Sequence, residues 1–350
     1  MMAKGDIKRA FERGMGGLFR LVSAPFSPIL KRRNRRAVER RERRNLALNI
    51  KFFGYDLARE MAQSIPPRSH LLPQHLGLLS KPSTQADMES DWAAYWFQEL
   101  KIPLTFHRKL WELAFVLQAV HEAGGLRADA RALGFGCGAE PIASYLAACG
   151  VKVVATDLQP QKREAKGWLK TGQHASSLEA MFHAHLVARS VFDDRVEHRF
   201  VDMNAIPDDL ANFDFCWSIC AMEHLGSIEK GMKFVVSAMK TLRPGGLAVH
   251  TTEFNFLEDK KTLDHWPTVL FQRVHFEKLA ERLRAAGHKV AALDFDVGTN
   301  PLDRFIDMPP YQHDWPAYLR PWLSEPPHIK LSIDGFVSTC FGLIAWKQAA

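Results

Sequence analysis

The stretch RALGFGCGAEPIASYLAACGVKVVATDLQP, residues 131–160, constrains this chain more than any other. An apolar run leads into three alternating glycines, Gly134, Gly136 and Gly138, then a helix-like run, then a second apolar run that ends in Asp157. A strand, a glycine-rich turn and a helix leave the first backbone N–H groups of the helix without partners of their own. Glycine lets the main chain approach a ligand closely, because no Cβ intervenes. A carboxylate closing the second strand can accept from both hydroxyls of a ribose. The pattern predicts a pocket for an adenosine compound. It does not choose among such compounds: Gly134-x-Gly136-x-x-Ala139 also fits the dinucleotide variant of the turn.

From about residue 128 the chain alternates between two periods. Strands are expected at 131–135, 151–156, 196–201, 212–218, 245–251, 289–294 and 335–346, and the clearest helices at 139–149, 160–189, 228–242 and 270–287. Gly150, Gly245–Gly246 and Gly287 stand at the expected helix-to-strand turns. Such alternation implies an α/β fold with a largely parallel sheet and helices on both faces. Upstream, residues 51–127 read as a helical cap. Trp111, Phe115, Leu117 and Val120 recur at helical spacing, and Trp92, Tyr95, Trp96 and Phe97 read as packing residues. Residues 295–333 are rich in proline and aromatics without a period, which predicts a folded lid over the site. Within it Arg304, Asp307 and Tyr311 either meet a polar ligand or pin the lid to the body. The expected organisation is an arm at 1–50, the cap at 51–127 and one domain over 128–350.

Charge separates the arm from the rest. The first 50 residues hold 14 Lys and Arg against 4 Asp and Glu, whereas the remaining 300 hold 32 against 35. The basic character therefore belongs to an appendage. In the arm, Leu18, Phe19, Leu21, Val22 and Phe26 precede the run KRRNRRAVERRERR, so peripheral contact with an anionic membrane is expected ahead of nucleic-acid binding. A nucleic-acid enzyme normally spreads positive charge around its pocket, and the body here is slightly acidic. No apolar run of about 18 residues and no secretory leader pattern is found, and the five scattered cysteines read as reduced thiols in a cytoplasmic protein. Their spacing offers neither a four-ligand zinc site nor a compact iron–sulfur motif.

Three later motifs bear on the ligand. FVDMN ends the third strand with Asp202, which can accept from an adenine amino group, and Met203, which can pack on the ring. FDFCWSICAMEHLGS runs from a strand into a loop carrying Glu223 and His224. LRPGGLAVHTTEFN reads as a tight turn into a fifth strand with His250 and Glu253, and GFVSTCFGLIAWK as a closing strand. Together these motifs resemble the class I S-adenosylmethionine-dependent methyltransferases over about residues 110–348. The stretch around EHLGS and LRPGGLAVHTTEFN is also similar to bacterial methyltransferases found among glycan and sugar-transfer enzymes. The resemblance implies a Rossmann-like seven-stranded sheet with an antiparallel last strand, and S-adenosylmethionine as cofactor. One position departs from the family: Ala132 stands where an acid usually helps hold the methionine amino group, and Glu140 is the expected substitute.

On this reading Gly134, Gly136, Gly138, Glu140, Asp157, Asp202 and Met203 hold the cofactor, with Trp217 and Ser218 as pocket walls. His224 is the first candidate for a general base toward a hydroxyl acceptor, Glu223 orients it or faces the methionine tail, and His250 and Glu253 follow. His174, His183 and His185 read as surface or helix residues. The expected acceptor is a small molecule or a glycan, methylated on oxygen. The alternatives are an RNA or protein methyltransferase, an NAD-dependent oxidoreductase and a non-catalytic nucleotide-binding protein.

Overall fold

The computed structural model describes residues 27–160, 177–265, 267–311, 314–315, 318 and 327–349, with side chains from residue 34 onward. The apolar part of the arm and His174 lie outside the described residues.

Five strands form the parallel half of the sheet: β1 (Arg131–Phe135), β2 (Lys152–Asp157), β3 (Val196–Phe200), β4 (Phe213–Ile219) and β5 (Leu242–Asn255). Four more follow: β6 (Lys289–Val290), β7 (Ile306–Asp307), β8 (Lys330–Ile333) and β9 (Phe336–Trp346). The spatial order is β3-β2-β1-β4-β5-β9-β8-β7, and β9 runs antiparallel to β5. The reversal at β1, from which the chain first builds outward to β2 and β3 and then to β4 and β5, creates the crevice in which α/β sheets bind ligands.

All seven expected strands are present, joined by three short ones: Lys81–Pro82, β7 and β8. The sixth strand is much shorter than expected. After Ala291, whose N–H still donates to Ile344 O, the chain leaves β9 and bonds to Ser80 instead, through Ser80 N to Ala292 O at 3.0 Å and Asp294 N to Ser80 O at 2.9 Å. Lys81–Pro82 then takes the vacated place beside Phe341 and Gly342 of β9, and β8 pairs beyond it.

The helices divide between two cores on opposite faces of the sheet. α1 (Ser27–Ser64), α2 (Asp91–Glu99), α3 (Arg108–Glu122), α4 (Ile142–Ala148) and α5 (Arg189–Arg195) come first; α6 (Ile228–Thr241) and α7 (Arg273–Ala285) follow. One core combines α2, α3 and α4 with residues of β1, β4 and β5, including Trp96, Trp111 and Phe115. The other places α6 and α7 around Phe234, Phe276 and Phe341. The cap therefore shares its core with the sheet. Phe115 of α3 lies so close to β9 that a Cβ on Gly342 would come within 2.1 Å of its ring.

The expected helix over 160–189 is not what the described part of that segment forms. Residues Leu178–Met181 make one 3-10 turn and 184–186 are turns. The buried Ser144 hydroxyl donates to Met181 O at 2.8 Å and accepts from His183 N at 2.9 Å, diverting the backbone from helical pairing. His183 is accordingly not a helix residue: its Nε2 lies 3.2 Å from Ala139 O in the glycine turn.

The lid is anchored to α1. Lys51 and Asp307 form an ion pair with side chains 1% and 0% exposed. Asp307 also accepts from Tyr55 OH at 2.8 Å and pairs with His328 Nδ1 at 2.7 Å. Gly54 faces the Phe305 ring, and a Cβ there would meet it at 2.3 Å. Of the two roles considered for Asp307, this arrangement assigns pinning. Arg304 is exposed, and Tyr311 OH bonds to Asp307 O and Ser332 O.

Candidate active site

At the C-terminal ends of the parallel strands lies a cavity of about 1210 Å³. One side of it is the glycine turn. Gly136 and Gly138 have φ of +61° and +54°, values that L side chains rarely adopt. A Cβ on Gly136 would sit 2.8 Å from Ala221 Cβ and 3.5 Å from Met203 Sδ. Gly134 is tighter still: a Cβ would reach 2.3 Å from Cys137 Sγ and 2.5 Å from Trp217. Gly134 thus belongs to the floor under the turn, whereas Gly136 and Gly138 line the cavity itself.

Asp157 ends β2 inside the cavity, 7% exposed. Its Oδ1 accepts from Leu158 N at 2.7 Å and its Oδ2 from Gly138 N at 3.3 Å, so strand end and turn brace each other. Asp202, Met203 and Asn204 follow β3 on the same wall; Asn204 N bonds Asp202 Oδ1 at 2.9 Å and fixes that carboxylate. Glu140 lines the cavity beside the turn, and its Oε2 is buried without a protein hydrogen bond. Burial pushes its carboxyl well above the usual range.

The other side of the cavity is built from β4, β5 and α3. Glu223 is 1% exposed and accepts from Thr252 Oγ1 at 2.9 Å, and burial pushes its carboxyl up. His224 also lines the cavity, and its Nδ1 lies 2.9 Å from Pro267 O. A carbonyl only accepts, so Nδ1 carries the hydrogen, and in the neutral ring Nε2 carries the lone pair. Arg108 at the start of α3 is ion-paired with the buried Glu253. Ser338 Oγ donates to the second oxygen of Glu253 at 2.7 Å. Lys109, Cys220, Lys230, Thr268 and Ile333 complete this wall.

Cys220 directly follows β4 with φ of +44°, and its sulfur lies 3.6 Å from that of Cys340. These thiols approach Glu112, Glu223 and Glu253 closely enough for two sets of three possible metal ligands. The Arg108 guanidinium occupies the same neighbourhood, 3.0 Å from Cys340 Sγ and paired with Glu253. A fixed cation therefore already balances the acidic groups.

Three expected site residues lie elsewhere. His250 is 1% exposed in the middle of β5, stacked edge-on to Phe234, and burial lowers its pKa to about 3. It is not part of the cavity wall and is withdrawn as a proton acceptor. The register explains this: residues alternate faces along a strand, and His250 points to the α6 side. Ser218 donates to or accepts from His250 Nδ1 at 2.8 Å beneath the site, and Trp217 packs under Gly134. Both support the cavity from behind instead of lining it. Arg108 and Lys109 were missed, because FHRKLWEL reads as an amphipathic cap helix. The one signal was a pair of basic residues at the head of an otherwise apolar run.

The chain has relatives among known proteins. A family model described as a methyltransferase domain matches residues 106–293. That is more than half of the 350 residues. The chain belongs to the methyltransferase domain family. The match begins just before α3, so that helix belongs to the methyltransferase unit, 22 residues ahead of the boundary expected at 128; it ends at 293, ahead of the lid. None of the curated proteins matches this chain. Among solved structures, the [4+2]-cyclase SpnF is 17% identical with a TM-score of 0.43, covering 78% of this chain and 98% of that one. The phosphoethanolamine N-methyltransferase 2 of Haemonchus contortus, solved with phosphomonomethylethanolamine and S-adenosylhomocysteine, is 15% identical with a TM-score of 0.40, covering 67% and 52%. An S-adenosylmethionine-dependent methyltransferase of Mesorhizobium loti is 13% identical with a TM-score of 0.35, covering 65% and 96%.

The glycine-turn wall suits S-adenosylmethionine, the cofactor that the sequence resemblance implies. The turn has no Cβ to spare, Asp157 ends β2 where a ribose would be met, and Glu140 presents an oxygen with no hydrogen-bond partner among the described residues. A cationic amino group beside Glu140 would draw that carboxyl back to its ionised form.

Proposed function

We propose that this enzyme transfers a methyl group from S-adenosylmethionine to a hydroxyl of a small, polar, hydroxyl-rich acceptor of the sugar class. The observation that carries the proposal is the wall opposite the glycine turn. It presents Arg108, Lys109, Glu223, His224 and Glu253 around one cavity, chemistry suited to a ligand with many hydroxyls.

The cofactor supplies an electrophilic methyl carbon, and the protein must align the nucleophile and exclude water. Gly136, Gly138, Glu140, Asp157, Asp202 and Met203 are the residues that would hold the cofactor. His224 takes the acceptor's proton at Nε2, while Pro267 O keeps Nδ1–H in place. Glu223, held by Thr252, closes the wall beside it. Glu253 is fixed by Arg108 and Ser338, which suits it to accept from a second hydroxyl and orient the acceptor.

The test is transfer of labelled methyl from S-adenosylmethionine to a panel of sugars, nucleotide sugars, small amines and RNA, with wild-type and His224→Asn enzymes. The proposal expects product from a hydroxyl acceptor. It expects His224→Asn to lower kcat about 10²–10⁴-fold, the usual contribution of a general base, with cofactor affinity unchanged. Methylation of amines alone, or an unaltered kcat, would refute it.

A further inference from the structure

Helix α1 carries an apolar stripe that none of the described residues covers. Leu46, Ile50, Phe53 and Leu57 are 59%, 51%, 78% and 42% exposed. Their spacing of four, three and four residues puts them on one helix face. Lys51, Tyr55 and Ala58, 1%, 2% and 1% exposed, mark the face that docks on the body. At 100° per residue the two faces lie roughly 130° apart. The stripe therefore points away from the core. Isolated apolar residues on a surface need no explanation, but four in register on one helix do.

The same helix is strongly basic just ahead of the stripe. Residues 31–44 hold nine Lys and Arg against two Glu. The described side chains from 34 to 46 are exposed, apart from the half-buried Ala37 and Glu39. Basic charge and an outward apolar stripe thus follow one another on a single rod of 38 residues.

We infer that this face of α1 docks on an anionic lipid surface, with Leu46, Ile50, Phe53 and Leu57 entering the interface and the arginines meeting the head groups. Charge decides against the other apolar occupant, a second copy of the chain. Two such helices would bring two strongly basic segments together, and the stripe spans fewer than the three to four heptads of a stable coiled coil. An anionic bilayer matches both halves of the helix at once: it attracts the basic segment and accepts the apolar one. Lys51 and Tyr55, on the face of this helix turned to the body, hold Asp307, so docking would place α1 between the lipid and that segment.

The experiment is co-sedimentation of the full chain with vesicles of phosphatidylcholine alone or mixed equally with phosphatidylglycerol, at low and high salt. Binding is expected only with phosphatidylglycerol and should weaken as salt screens it. Phe53→Gln should lower vesicle affinity about tenfold and Leu46→Gln/Phe53→Gln about a hundredfold, scaling with the apolar area withdrawn. Both variants should keep the wild-type melting temperature and cofactor affinity. Ile50→Gln/Leu57→Gln tests the same stripe independently. Unchanged binding by all three variants would overturn the inference, and so would equal binding to neutral vesicles. A concentration-dependent dimer abolished by the substitutions would assign the stripe to a second copy instead. Retention on RNA with none on anionic vesicles would also overturn it.

Discussion

Removing one partner of the Lys51–Asp307 pair should cost far more than removing both. The two side chains are 1% and 0% exposed, so neither charge is screened by water. Burial lowers the Lys51 pKa, and His328 and Lys51 hold the Asp307 carboxyl below its ordinary value against the cost of its own burial. Asp307→Ala would leave a buried ammonium, and would also strip the acceptor from Tyr55 OH and His328 Nδ1. Breaking a buried pair typically costs about 3–5 kcal/mol, whereas apolar replacement of both members is often near neutral. The expected loss for Asp307→Ala is therefore about 4 kcal/mol, roughly a thousandfold in the folded-to-unfolded ratio. Lys51→Met/Asp307→Leu should recover most of it, leaving about 1–2 kcal/mol for the stranded Tyr55 and His328 groups. Urea unfolding of wild type, both single variants and the double, followed by tryptophan fluorescence, gives the coupling energy directly. Because the folded Asp307 pKa is depressed, its contribution is complete above the unfolded value near 3.9 and fades as pH falls below it. The Asp307→Ala penalty should then shrink toward pH 3. A penalty under about 1 kcal/mol at pH 7, or strictly additive single losses, would refute the reasoning.

Three further outcomes are expected. Asp157→Asn should weaken S-adenosylmethionine binding about 10–100-fold by calorimetry while the fold persists, since the amide oxygen can still accept from Leu158 N and only charge-assisted bonds are lost. Gly136→Ala should cost about 1–3 kcal/mol in urea unfolding and weaken cofactor binding, because it combines φ of +61° with a 2.8 Å approach to Ala221. His250 titrates near 3 in the folded protein, so below its unfolded value of about 6.5 only the unfolded chain takes up its proton. Wild type should therefore lose about 1.4 kcal/mol per pH unit relative to His250→Gln between pH 6 and 4, measured by urea unfolding at each pH; a constant difference would contradict the buried neutral ring.

The glycine-turn side of the cavity was legible because its residues obey local rules. Gly134, Gly136 and Gly138 are dictated by a strand-to-helix turn, and Asp157, Asp202 and Met203 by the ends of strands whose period is plain. The acceptor half was not legible in the same way. Arg108 and Glu253 are 145 positions apart in sequence, and only the packing of α3 on β5 brings them together. His250 misled for the opposite reason: it stands near the end of the expected strand, but β5 continues to Asn255 and turns that residue inward. The sixth strand was over-read because an apolar run does not reveal its partner, and Ser80 captures the chain after Ala291. Over the described residues 177–188 the helical period does not hold, because period alone cannot register Ser144, a side chain more than 30 positions away that binds the backbone at 181–183.

The two walls of the cavity hang from neighbouring halves of one sheet. The glycine turn, Asp157 and Asp202 belong to β1, β2 and β3. Ile333 belongs to β8, near the far margin, and Glu253 to β5 between them. Changes to the lid and its short strands are thus absorbed at an edge that the cofactor wall does not share. Such a molecule can exchange peripheral segments while the glycine turn stays in place, as a tool changes its jaw while the handle stays fixed.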